Sequence, residues 1–98
     1  MEVEFADPDL ARLERDLDFN AGFGIEVVRG YRKVMRFIRS AADERDFRMM
    51  RSLNFEKLKG DRSHQYSLRL NQQWRLVVEV RKSDPRNVIL VVAVEDYH

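Results

Sequence analysis

Cysteine is missing from the chain altogether, which excludes disulfides, thiolate metal sites and a cysteine nucleophile. Long apolar runs are missing too, since none approaches the roughly 20 residues that a membrane helix needs. The opening stretch MEVEFADPDL is acidic and has neither the basic start nor the apolar stretch of a signal peptide, so the expected compartment is the cytoplasm. Histidine is scarce: His64 and His98 lie far apart, and no metal-ligand spacing is present. There is no repeat, low-complexity segment or linker.

Ninety-eight residues make one domain, residues 1–98, with room for one core but not for an enclosed cofactor-binding fold with a second domain. At 44% hydrophobic and 36% charged, the chain is globular rather than disordered. A net charge of +1 conceals a strong asymmetry. Residues 1–28 carry net −6, whereas 29–51 and 57–86 each carry net +5. A nucleic-acid surface can be built from the basic part while the whole stays near neutral. Ordinary solvated helix and strand faces would look the same from composition alone.

Val3 and Phe5 alternate with polar neighbours, as in a short first strand. Asp7 and Pro8 then open a helix, one as a cap and the other as a first-turn residue. Leu10, Leu13 and Leu17 form its stripe, and Gly22 and Gly24 end it. A second helix is expected over about 25–42. Val27, Tyr31, Val34, Met35 and Ile38 lie on its apolar face, and Arg29, Arg32, Lys33, Arg36 and Arg39 on its other faces. Gly30 inside it costs up to ~1 kcal/mol relative to Ala. A short helical turn capped by Asp43 follows, and Met49, Met50 and Leu53 lead back to the core. Beyond Phe55 the period becomes two. Strands are expected at 55–59, 64–70, 73–82 and 88–94, with Tyr66, Leu68, Leu70, Trp74, Leu76, Val78 and Val80 inward and Ser67, Arg69, Arg75, Val77 and Glu79 outward. Helices ahead of a run of strands imply an α+β fold, with two N-terminal helices covering a mostly antiparallel sheet of four to five strands.

Leu70 and Trp74 must both face the core, so the loop between them holds an odd number of residues. Asn71-Gln72-Gln73 satisfies this, pairing Leu68 with Leu76 and Arg69 with Arg75. Facing arginines repel unless an anion or water intervenes. Guanidinium forks grip phosphate. A phosphate site and two side chains splayed into water are both open at this point.

Leu58-Lys59-Gly60-Asp61-Arg62, Gln65-Tyr66-Ser67-Leu68-Arg69-Leu70-Asn71, Gln73-Trp74-Arg75-Leu76 and Val94-Glu95-Asp96-Tyr97-His98 carry a specific pattern. In order and spacing it resembles the HigB plasmid-maintenance killer proteins of the RelE-like superfamily, across roughly residues 53–98. The resemblance implies a compact sheet under helices and a toxin that enters the ribosomal A site and cuts mRNA there. A cognate HigA-type helix-turn-helix antitoxin is the implied partner, with the ribosome and mRNA as targets and no membrane, metal or small-molecule cofactor involved.

Such cleavage uses the substrate's own 2′-hydroxyl. It needs a base, positive charge on the phosphate and an acid for the leaving oxygen. The resemblance assigns Lys59, Arg69 and Arg75 to the phosphorane, with Arg62 and Lys57 as further phosphate contacts. His98 is the proton-transfer group, its ordinary pKa being near neutrality. Asp96 orients it, and Tyr97 donates a hydrogen bond or stacks on a base. One position departs from the family pattern: Glu56 stands where a histidine precedes the motif glycine by four residues. Glu56 as a replacement base, His98 as the main proton carrier, and a catalytically silent module that binds antitoxin or ribosome all remain open, as does a general basic RNA-binding domain. His64 reads as surface, and Tyr31, Tyr66 and Trp74 as core.

Overall fold

The computed structural model describes residues 1–97. Strand β1 (Glu2–Phe5) leads to helices α1 (Pro8–Arg15), α2 (Ile25–Ser40) and α3 (Arg45–Met49). Strands β2 (Glu56–Lys57), β3 (Tyr66–Arg69), β4 (Trp74–Arg81) and β5 (Val88–Asp96) follow. Single 3₁₀ turns at Arg51–Leu53 and Gly60–Arg62 flank β2. The sheet order is β1-β5-β4-β3-β2, with β1 parallel to β5 and every other pair antiparallel. This is the α+β layout expected, and the short helical turn expected after Asp43 is α3.

The helix-facing core joins Leu10 and Leu13 of α1, Tyr31, Met35 and Ile38 of α2, and Leu68, Leu76, Val78, Ile89 and Val91 of the sheet. All five residues of the predicted α2 stripe are buried. The Tyr31 hydroxyl donates to the Leu10 carbonyl at 2.7 Å, tying α1 to α2. Burial pushes its phenol pKa up, which keeps it a neutral donor. The amino-terminal ammonium caps the end of α2 through the carbonyls of Ile38, Arg39 and Ala41.

Several expectations need correction. Helix α1 stops at Arg15 because Asp16 is extended (φ −99°, ψ 104°), so Leu17 leaves the stripe and lies exposed. Met49 and Met50 are also exposed, and Leu53 alone of that trio enters the core. Arg32 does not face solvent freely. Its guanidinium donates to the carbonyls of Leu13, Asp16 and Phe19, which the end of α1 and the following turn leave without helical partners. Val77 has outward parity, yet it is fully buried. It shares a row with Ser67 and Ala93, and the hydrogen-bonded chain Glu95–Arg62–Gln65–Glu79 runs across that row.

The strand expected over 55–59 is paired only at Glu56–Lys57, opposite Ser67 and Tyr66. An aromatic ladder anchors it. Phe37, Phe47, Phe55 and Tyr66 lie 5.9, 5.4 and 4.9 Å apart in succession, the last pair stacked at 9°. This ladder ties α2 and α3 to the sheet edge beside Glu56.

Gly30 has a positional reason that its helix propensity does not reveal. A Cβ there would lie 2.7 Å from the Leu70 carbonyl oxygen, because α2 presses against the β3–β4 hairpin. Gly30→Ala therefore reverses the usual helix gain of up to ~1 kcal/mol. We expect a net loss of about 1–2 kcal/mol from forced overpacking against backbone. Urea unfolding checks this; a stabilised variant would show that the hairpin yields freely.

Candidate active site

Across the sheet from the helices, one row runs through three strands: Arg69 opposite Arg75, and Arg75 opposite Glu95. The register predicted for the hairpin is the observed one. The like-charge pair is relieved from within the protein, because Glu95 accepts from Arg75 Nη2 at 3.3 Å while Arg69 remains exposed. Glu95 also receives the whole fork of Arg62, Nη1 at 3.0 Å and Nη2 at 2.7 Å. Arg62 Nε donates to Gln65 Oε1, and Gln65 in turn donates to Glu79.

Glu95 reaches this face through a bulge. Val77 pairs with Ala93 but Val78 pairs with Val91, which leaves Val92 as an extra residue in β5. The bulge reverses the alternation of the strand. Before it, Ile89 and Val91 point to the helices; after it, Val94 does, and Glu95 turns to the opposite face with Arg75. Tyr97 follows Glu95, and the Arg75 guanidinium lies 5.4 Å from the centre of its ring. Asp96 pairs with Trp74 instead and accepts a hydrogen bond from Gln73, so it stands apart from this cluster.

Beside the row, Glu56, Lys57, Leu58, Lys59, Arg62 and Arg75 line a hollow of about 280 Å³. Lys59 leads into the 3₁₀ turn, where Gly60 takes the left-handed conformation (φ 67°) and redirects the chain toward Arg62. Glu56 is exposed and accepts from the Asn54 amide at 2.6 Å. The hollow thus gathers four cations and Glu56, with Glu95 behind Arg62 and Arg75. Arg75 Nε and the Tyr97 hydroxyl are both buried and have no hydrogen-bond partner among the described residues. Both belong to residues at or against the groove, since Arg75 lines it and the Tyr97 ring lies against Arg75, and both are hydrogen-bond donors.

The structure therefore brings together Glu56, Lys57, Lys59, Arg62 and Arg75, with Tyr97 against Arg75. Arg69 adjoins Arg75 in the ladder but lines a separate pocket between α2 and the hairpin. His98 lies outside the described residues. His64 is exposed, as the sequence implied, near Glu79 at 3.7 Å. Glu95 is the residue that sequence reasoning missed, because the bulge that pairs it with Arg75 leaves no signal in the sequence.

The Arg62 hydrogen bonds, and then the Arg75 contact, hold the Glu95 carboxyl below the usual glutamate range. The sign follows from linkage. A depressed carboxylate contributes stability that is present above its unfolded pKa and is lost as pH falls through the folded value. Glu95 thus stays ionised throughout the neutral range.

Three helices on one face of a five-stranded sheet, with a cationic groove on the other, form the RelE/YoeB type of toxin fold. The "YoeB/ParE toxin from Agrobacterium tumefaciens" superposes with a TM-score of 0.61 at 19% identity, covering 100% of both chains. A chain of the "YoeB-YefM complex from Staphylococcus aureus" gives 0.58 at 20%, covering 100% of this chain and 97% of that one. No curated protein matches significantly. The model for the RelE-like toxin of type II toxin–antitoxin system HigB matches residues 3–98, and the chain belongs to that family. The match extends the resemblance through the N-terminal half. The protein is a RelE-like toxin of a type II toxin–antitoxin system. Among the described residues, no helix is long and apolar enough to cross a membrane.

Proposed function

We propose that this toxin is a ribosome-dependent endoribonuclease that cleaves mRNA in the A site. The observation that carries the reading is the convergence of Lys59, Arg62 and Arg75 with Glu56 around one hollow, with the Tyr97 ring against Arg75. In the proposed reaction, Glu56 takes the proton of the 2′-hydroxyl as that oxygen bonds to phosphorus. Charge grows on the non-bridging oxygens, where Arg75 and Lys59 stabilise it and Tyr97 donates. The bond from phosphorus to the 5′-oxygen breaks, and His98 supplies the proton to that oxygen. The products are a 2′,3′-cyclic phosphate and a 5′-hydroxyl. Lys57 and Arg69 contact flanking phosphates, and Asp96 tunes His98. The partner is a HigA-type helix-turn-helix antitoxin that holds the toxin inactive in the cytoplasm.

The test is incubation with purified, mRNA-programmed ribosomes and mapping of the new 5′-ends. Codon-phased cuts in the A site with cyclic phosphate termini are expected. Ribosome binding without cuts would sink the nuclease reading and leave a binding module.

Glu56 provides a sharper check, because the family pattern has histidine there. Glu56→Gln keeps the shape but removes the base, so single-turnover cleavage should fall by about 10²-fold. Glu56→His should retain most activity and shift the acidic limb of the pH profile toward the histidine range. An unimpaired Glu56→Gln variant would assign the base elsewhere.

A further inference from the structure

Two arginines of the groove are held in different ways. All three nitrogens of the Arg62 guanidinium donate within the protein, Nε to Gln65 and both Nη atoms to Glu95. Arg75 gives one Nη atom to Glu95 through a longer bond, and its Nε is buried without a partner among the described residues. Arg62 is therefore the buttress and Arg75 the arm with donors to spare. Glu95 connects them, about one-third exposed, at the point where the β5 bulge delivers it.

We infer that Glu95 is a positioning residue. It holds the Arg75 guanidinium in place through the Arg62 buttress while offsetting part of the groove's attraction for RNA phosphate. This inference rests on the nuclease reading for its catalytic consequence. Its physical basis is local. A carboxylate about 3 Å from two guanidiniums restricts their rotation and cancels charge that an incoming phosphate would otherwise meet. Orientation favours the transition state, whereas the cancelled charge weakens ground-state binding. The two effects of removing the charge therefore have opposite signs, which a merely structural acid would not produce.

Glu95→Gln preserves shape and removes one negative charge. On ribosomes, kcat should fall by about 10–100-fold while KM falls as well. In NMR titrations with a trinucleotide carrying a 2′-deoxy sugar at the scissile position, the variant should bind at least about threefold tighter. Its log–log salt slope should steepen by up to about 0.7 for the single-stranded probe. The Arg75 Nε–H resonance, ordered in the parent, should become dynamic in the variant. Arg62→Lys is the second variant: it keeps the charge but not the fork, so kcat should fall with KM little changed. If the parent does not cut mRNA, the nuclease reading fails, while the titration and the Arg75 resonance still decide the role of Glu95. Unchanged or weakened trinucleotide affinity in Glu95→Gln, or an Arg75 resonance equally ordered in both proteins, overturns the inference.

Discussion

Arg75→Ala is expected to lower mRNA cleavage by about 10²–10³-fold in single-turnover assays on programmed ribosomes, with the protein still folded. Arg75 stands where the groove, the Glu95 carboxylate and the Tyr97 ring meet. It lines the hollow, and only one of its guanidinium nitrogens has a hydrogen-bond partner among the described residues, so donors remain for a phosphorane oxygen. Its removal deletes positive charge at the reacting phosphate and frees the Tyr97 ring to move. The fold should survive, since Glu95 keeps both hydrogen bonds from Arg62 and is not left as an unpaired charge. Arg75→Lys should recover little, because an ammonium offers a point charge without the planar fork or the Nε direction. Circular dichroism and urea midpoints should stay close to those of the parent. Cleavage within threefold of the parent would show that the phosphate is stabilised by other groups and would remove the central residue of the mechanism.

The second large effect concerns stability. Arg32→Ala should cost about 2–3 kcal/mol, because three carbonyl acceptors lose a charged donor in a partly buried seam. For a chain of this size that corresponds to a drop in Tm of roughly 10–20 °C. Arg32 carries the C-terminal end of α1 and the turn through Phe19, a region of negative helix-dipole potential. Lysine at this position cannot span the acceptors at Leu13, Asp16 and Phe19, so Arg32→Lys should recover less than half of the loss. A Tm within 2–3 °C of the parent for Arg32→Ala would mean that water replaces the guanidinium at little cost.

These two arginines illustrate how far sequence can be read. Arg75 was legible because the hairpin is local. Leu70 and Trp74 had to share a face, and the loop between them set the register that pairs Arg69 with Arg75. Arg32 was not legible. On a helical wheel it belongs with Arg29, Lys33 and Arg36, and nothing in its spacing tells that α1 ends beside it. Glu56, Lys57 and Lys59 were assigned from a motif; the aromatic ladder through Phe55 explains why that short edge strand is held where it is.

By itself the sequence determined the order of elements, the buried stripe of α2, the hairpin register and the kinship with HigB-type toxins. Each depends on neighbours a few residues apart or on a contiguous motif. The tertiary structure alone decided that Glu95 and Tyr97 face Arg75, and that Arg62 is spent on holding Glu95. Simple alternation from Ile89 and Val91 would have turned Glu95 and Tyr97 toward the helices; one unpaired residue, Val92, reverses it. Such a bulge arises from how two long strands fit against the rest of the sheet, and in a run as uniformly apolar as residues 88–94 no side chain announces which position is skipped.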